Sequence, residues 1–251
     1  MKLYGEFSKQ DWLHVFGIEE DKVPASFIIH GEWEHTENII LWKHTLENEM
    51  WLPKWNTVVG SYEGTSIGFA NVYGSPMAST ITHQFASIGT ESFIQTGYFG
   101  GLTQDMKYGD ILIVNEALMQ DGVSHWYLPN ETTVKSDETL VNAAIEYCEK
   151  KGYHYIVGTI LSTSAMLLET REMIDDWSRS GYAGVDMETA TTLAVAKYFN
   201  KNAIGLLNLS DHLIAGDTIF SYTEEREQIE SQTDEKIREV ALYLATLTNK
   251  R

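Results

Sequence analysis

The chain predicts an α/β fold in which strands and helices alternate around a largely buried sheet. Three observations carry that prediction: short apolar runs of strand length, amphipathic runs at helical period between them, and glycines where one element gives way to the next. At 251 residues, 43% of them hydrophobic, the chain lies in the upper range for one domain. With 4 prolines and no linker-like stretch of Pro, Gly or Ser, it reads as a single domain over residues 1–251.

Residues 25–29 form the first clear strand, an apolar run ending in His30 and Gly31. Residues 56–60 and 68–73 read as a hairpin around the turn residues Glu63 and Gly64. A helix is expected over 79–88, where Ile81, Phe85 and Ile88 share a face and Gly89 sits at the C-cap. The next strand, 92–96, runs into a glycine-rich segment, GYFGG, expected to turn. Strands follow at 110–114 and 155–160, separated by a helix at 140–151 that Gly152 ends. A helix over 187–199 carries Met187, Ala190, Ala194 and Tyr198 on one stripe, and 203–209 is a buried-looking strand. Thr223, followed by Glu224 and Glu225, is an expected N-cap for a last long helix with the stripe Ile229, Ile237, Val240, Ala241 and Leu244. Ligands of such sheets bind beyond the carboxyl ends of strands, which directs attention to residues 31–35, 97–101 and 210–217.

The formal net charge is −18. That field repels phosphate backbones and anionic lipid, so nucleic acid and membranes are poor partners, and a site for free phosphate would need concentrated Arg or Lys. The single cysteine, Cys148, excludes an intrachain disulfide and fits a reducing, cytoplasmic setting; its place in an amphipathic helix predicts a buried structural thiol. The opening residues, MKLYGEFSKQDW, lack the apolar core of a signal peptide, and no apolar run reaches membrane-spanning length. No cofactor is expected. The glycine segment is not GxGxxG, and His30, Glu32, Glu34 and His35 lack the spacing of a known metal site.

Three segments carry chemistry. In IQTGYFGGL, Gly97, Gly100 and Gly101 allow close backbone approach to a ligand. In VDMETA, Glu188 at a helix start either complements the helix dipole or offers a carboxylate to the two hydroxyls of a ribose diol. In LLNLSDHL, Asp211 directly follows an apolar strand; it is either a turn cap or a carboxyl whose pKa burial raises into the range of a general acid.

Taken in order, the glycine segment, GDILIVNEALMQDG, VDMETA and SDHL resemble the nucleoside phosphorylase/nucleosidase superfamily over most of the chain, from about Ile28 to the C-terminal helix. QTGYFGGLTQDMKYGDILI is most similar to the methylthioadenosine/S-adenosylhomocysteine nucleosidase branch, and DGVSHWYLP and SDHLIAGD to the uridine and purine phosphorylase branches. The resemblance implies a central mixed sheet, partly closed like a barrel and flanked by helices. It implies that Met187 packs on the ribose, that Glu188 binds its hydroxyls and that Asp211 protonates the leaving purine, although Asp186 stands where many members have Glu. It also implies a homo-oligomer, since relatives form dimers, trimers of dimers or hexamers.

Several positions depart from the phosphorylase pattern. The GDPxR-like turn reads GEWEH at 31–35, without arginine; Gln95 replaces a second arginine; Tyr98 replaces a threonine beside Gly97. The region 43–56, matching a segment that brings an arginine from a neighbouring subunit, contains only Lys43 and Lys54 as basic Lys or Arg residues. Charge-assisted contacts to an anion are worth about 1.5–3 kcal/mol each, so phosphate binding is expected to be weak. The nucleosidase branch keeps a water-activating glutamate in this turn, and Glu34 is the first candidate, with Glu32 and His35 as alternatives of register. At the base pocket, Met166 stands where relatives present an aromatic ring, and Glu169 and Arg171 where uridine phosphorylases place a Gln and Arg that read uracil. Glu for Gln leaves a pure acceptor, which suits a base presenting an amino group; a surface Glu and Arg pair is the alternative.

The expectation is cleavage of the N-glycosidic bond of a nucleoside, by water in preference to phosphate. A phosphorylase with an atypical phosphate site and a non-catalytic nucleoside-binding or storage protein are the alternatives.

Overall fold

The computed structural model describes residues 2–52 and 56–248. In chain order the elements are α1 (Lys9–Phe16), β1 (Ser26–Gly31), α2 (Thr36–Thr45), β2 (Glu47–Leu52), β3 (Thr57–Tyr62), β4 (Thr65–Val72), α3 (Ser75–Ile88), β5 (Ser92–Gly101) and β6 (Ile111–Gln120). They continue with α4 (Ser124–Tyr127), β7 (Thr133–Lys135), α5 (Glu138–Lys151), β8 (Tyr155–Thr163), α6 (Arg171–Arg179), β9 (Gly184–Asp186), α7 (Thr189–Tyr198), β10 (Asn202–Asp211) and α8 (Glu224–Leu247). The α/β alternation read from the sequence is present.

The strands make one mixed 10-stranded sheet in the order β10-β6-β8-β9-β5-β1-β4-β3-β2, with β7 on β6. Because β10 also pairs with β5, the strands β5, β10, β6, β8 and β9 close on themselves, giving the partly barrel-like sheet that the resemblance implied. β1 lies parallel between β4 and β5. The carboxyl ends of β1, β4, β5 and β10 therefore open toward one rim, while β6, β8 and β9 run the other way.

Two core layers hold the sheet. Phe27, Phe85, Phe93, Leu193 and Leu207 pack on the side of α1, α3 and α7, and Ile28, Trp42, Phe69, Ile94, Val240 and Leu244 on the side of α2, α5 and α8. Burying each such side chain contributes about 1.5–3 kcal/mol. Every residue of α7 from Thr189 to Ala196 is buried, so this helix is enclosed, and its small Ala and Thr side chains let it approach the strands closely. Cys148 is buried on α5, and burial pushes its thiol up to about 11, which suits packing and not nucleophilic attack.

The hairpin around Glu63 and Gly64 forms as expected between β3 and β4. The glycine segment does not turn. β5 runs on through Gly101, and Gly100 and Gly101 pair with Val185 and Gly184 of β9. The reason is crowding inside the closed ring: a Cβ on Gly184 would lie 2.2 Å from Phe99, and one on Gly101 2.7 Å from Leu209. These glycines serve strand contact. Gly97 differs. Its φ is +141°, and a Cβ there would stand 2.7 Å from the Gly31 carbonyl oxygen of β1. The helix expected from Met187 starts at Thr189, and α1, α2, α6 and β2 were not anticipated. Lys54 lies outside the described residues.

Candidate active site

The connection from β9 to α7 carries the clearest arrangement. Glu188 occupies the N-cap position of α7 but does not cap it. Asp186 does that work: its Oδ2 accepts from the Thr189 N–H at 2.9 Å, and its other oxygen accepts from Ser162 Oγ of β8. Relieved of capping, the Glu188 side chain reaches the opposite wall, where Oε1 accepts from the Gly74 N–H at 2.6 Å. Its Oε2 faces Gly31, close enough that a Cβ there would lie 2.7 Å away. Gly31 thus has no room for any side chain while Glu188 keeps this pose. Burial and then the charge of Asp186 push the Glu188 carboxyl up, while the Gly74 N–H opposes the shift. Burial pushes the Asp186 carboxyl up as well, and the donors of Ser162 and Thr189 oppose that shift.

A cleft of about 560 Å³ opens beside this carboxylate, lined by Tyr73, Gly74, Pro76, Ser164, Met166 and Met187 among others. Its walls are mostly apolar and its size suits a small organic ligand. Met187 is held in place by its backbone carbonyl, which accepts from Ser75 Oγ at 2.7 Å. Met166 lies in a short 3-10 turn, Met166–Leu168, on the facing wall.

Asp211 ends β10. A register shift between Leu209 and Asp211 sets it opposite Gly100, and such a bulge re-aims the side chain toward the rim. Only 7% exposed, it accepts from Ser210 Oγ at 2.5 Å. Burial raises its pKa; Ser210 and the guanidinium of Arg226 oppose that. Glu169 is half-buried on the neighbouring segment, pushed up to about 7 by burial and then by the charge of Asp211. Arg171 donates through Nη1 to the carbonyls of Leu213 and Ile214, both at 3.2 Å, and pairs with Asp175 at 3.0 Å.

Arg226 was not anticipated. It is 6% exposed, donates to the carbonyls of Ser210 and Ser221, and lies over the rings of Tyr108 and Tyr222. A signal was present: an arginine in the first turn of a helix stands against the dipole, so an outside partner is needed to keep it there.

The turn after β1 is arranged differently from expectation. Glu34 is exposed and, among the described residues, has no hydrogen bond or ion pair, and His35 is exposed too. The inward carboxylate is Glu32, which accepts from Asn38 Nδ2 at 2.5 Å and lies 3.4 Å from His30 Nε2. Gln95 is buried and occupied: its Oε1 accepts from Thr192 Oγ1 at 2.6 Å and its Nε2 donates to the Thr96 carbonyl. The Tyr98 hydroxyl donates to Asp234 Oδ2 of α8 at 2.7 Å, on the side of the strands where His30 Nδ1 meets Thr96 Oγ1. A small cavity of about 40 Å³ in that layer is lined by His30, Asn38, Thr96, Asp234 and Arg238 among others. The structure therefore sets Met187 and Met166 on one cleft, with Glu188 bonded to its Gly74 wall and facing Gly31, and brings Glu169, Arg171 and Asp211 near the end of β10. It leaves Glu34 outside and turns Tyr98 toward α8. Among the described residues no group of three or more His, Cys, Asp or Glu side chains is placed to hold a metal ion, and no helix is long and apolar enough to cross a membrane.

This architecture, an enclosed α7 behind a rim of buried carboxyls on a partly closed sheet, matches a known class. A family model described as the Phosphorylase superfamily matches residues 34–245. The chain belongs to that superfamily. It is 26% identical over 201 residues to a guanosine phosphorylase of Halorubrum lacusprofundi, covering 80% of this chain and 83% of that one. It is 28% identical over 188 residues to a DeoD-type purine nucleoside phosphorylase of Shewanella loihica, covering 74% and 79%. In fold it is similar to the crystal structure of a uridine phosphorylase from Vibrio fischeri, with a TM-score of 0.78 at 18% identity over 91% of this chain and 94% of that one. These relatives are named phosphorylases, which runs against the expectation from sequence that phosphate is disfavoured.

Proposed function

We propose that the chain cleaves the N-glycosidic bond of a nucleoside. The observation that carries this reading is Glu188, freed from helix capping by Asp186 and fixed by the Gly74 N–H beside an apolar cleft. A carboxylate so held accepts from both hydroxyls of a ribose and stabilises the positive charge that grows on the sugar. Met187 packs on the sugar and Met166 on the base. As the C1′–N bond breaks, its electron pair enters the base, and Asp211 gives its proton to a ring nitrogen. The nucleophile then bonds to C1′.

Phosphate is the nucleophile that the names of the relatives support, and pentosyl transfer to phosphate is the first reading. Water is the second, favoured by the rim of β1 and β5: Glu32 faces inward there, and Gln95 and Tyr98 stand where the resemblance expects arginine and threonine. A negative carboxylate repels phosphate and can take a proton from water.

One experiment tests both. Adenosine, inosine, guanosine, uridine and cytidine are incubated with the protein, with and without phosphate, and base and sugar products are identified. Release of a base supports cleavage; binding without turnover across the panel overturns it and leaves a non-catalytic nucleoside-binding protein. Ribose 1-phosphate formed only with phosphate supports the first reading, and free ribose at a rate indifferent to phosphate the second.

A further inference from the structure

We propose that Ser75 is a positioning residue for the reaction: its hydroxyl holds the peptide between Met187 and Glu188 so that the Glu188 carboxylate meets both hydroxyls of the sugar. This rests on the nucleoside-cleavage reading and deepens it by adding a residue that acts through Glu188.

Ser75 opens α3, one position after the cap residue Gly74. A serine hydroxyl near a helix start commonly serves the backbone of its own helix. This one turns outward. Fully buried, its Oγ donates to the Met187 carbonyl at 2.7 Å, across 112 residues of chain. That carbonyl lies in the same rigid plane as the nitrogen and Cα of Glu188. Fixing the oxygen therefore fixes the direction in which the Glu188 side chain departs. The far end of the side chain is held from the preceding residue, where the Gly74 N–H donates to Oε1 at 2.6 Å. Two adjacent residues at one helix start thus grip Glu188 by its base and by its tip. Pro76, next in line, stiffens that start because its ring sets φ.

The flanks of the segment are pinned from another direction. Ser162 Oγ of β8 donates to Asp186 and accepts from the Ala190 N–H at 2.9 Å. Those bonds set where α7 begins, but they do not reach the peptide between Met187 and Glu188. Ser164, on the cleft wall, lies 3.5 Å from Ser75 Oγ, yet it gives its proton to the Asp121 carbonyl at 2.8 Å. Each hydroxyl has one proton, so that of Ser75 stays with Met187. Without it a buried carbonyl loses a donor and the peptide turns to find another. Glu188 then leaves its base at a new angle while Gly74 still holds its tip, and its oxygens no longer match a diol. A misplacement of about 1 Å at such a group costs up to about 10²-fold in rate.

The test uses whichever of adenosine, inosine, guanosine and uridine the parent cleaves fastest, together with its 2′-deoxy counterpart. Values of kcat and KM are measured for both in the parent, Ser75→Ala and Ser75→Gly, with Tm alongside. Both variants should lower kcat/KM for the ribonucleoside by about 30-fold, chiefly through kcat. The 2′-deoxynucleoside gives Glu188 one hydroxyl instead of two and should lose only about threefold. The preference for ribose therefore falls about tenfold, the worth of one hydrogen bond. A 2′-deoxynucleoside that the parent binds without cleaving is read as a competitive inhibitor, whose Ki should move by less than about threefold. A purely structural brace would harm both sugars alike, so equal losses, or a ribose preference unchanged in both variants, overturn the inference and leave the cleavage reading standing. Variants that do not fold make Ser75 a folding residue and overturn it too. Failure of the parent to cleave any nucleoside overturns both.

Discussion

The carboxylates in the segment 186–188 and those in the turn 31–35 start alike and end differently. Each group follows a strand, and each is a candidate from sequence. In the first, Asp186 caps α7 and Glu188 is tied to Gly74 on another element, so the side chain has one pose. In the second, Glu34 is exposed with no partner among the described residues, and the inward position falls to Glu32, held by Asn38 of α2. A carboxylate becomes part of a site when donors from elsewhere in the fold fix it; being near the end of a strand is not enough.

The strongest way to break this comparison is Glu188→Gln. The uncharged amide keeps the shape but loses the anion, and turnover should fall by about 10²–10³-fold with Tm little changed. Activity within about twofold of the parent removes Glu188 from the chemistry. Asp211→Asn should cut cleavage of purine nucleosides by about 10²-fold. A nitrophenyl riboside, whose leaving group needs no proton, should lose far less; equal losses on both would make Asp211 structural.

Arg226→Gln sharpens the contrast from a distance. Losing its bonds to the Ser210 and Ser221 carbonyls should cost about 1–3 kcal/mol of stability, read by denaturant titration. It should also shift the alkaline limb of the pH–rate profile upward, because the guanidinium lowers the pKa of Asp211, which must be protonated to act. A profile that stays in place would confine Arg226 to folding.

Stability should also depend on pH. Glu169 and Glu230 are each pushed up to about 7 by burial, from an ordinary value of 4.5. Between these values the folded chain holds protons that the unfolded chain has released. Their contribution is therefore fully present below 4.5 and is lost as pH rises through 7. Tm should be higher at pH 6 than at pH 8, and the gap should narrow in Glu230→Gln. A Tm flat across that range would contradict the burial of both groups. The smallest effect belongs to Glu34→Gln, expected to leave turnover within about twofold, as for other exposed substitutions; a large loss would show that the β1 turn closes over the substrate.

Legibility followed locality. The α/β alternation, the hairpin at Glu63 and Gly64 and the caps at Gly89, Gly152 and Thr223 were readable because each rests on neighbours along the chain. The helix cap at Asp186 and the register shift before Asp211 were not, since both depend on strands far away in sequence. GYFGG misled for the same reason: glycine marks close approach as well as a turn, and only the closed ring shows which applies.

By itself, then, the sequence determined the class of fold, the acidic surface charge and the residue types VDMETA and SDHL that carry the resemblance, because periodicity, composition and motif order are properties of the chain. Only the tertiary structure decided that Glu188 is fixed in the site and Glu34 is left outside it, that Tyr98 turns to Asp234 and that Arg226 braces the segment after Asp211. Those outcomes depend on which donors and acceptors the closed sheet brings within hydrogen-bond reach, and that distance is set by packing between segments more than 100 residues apart, as between Gly74 and Glu188.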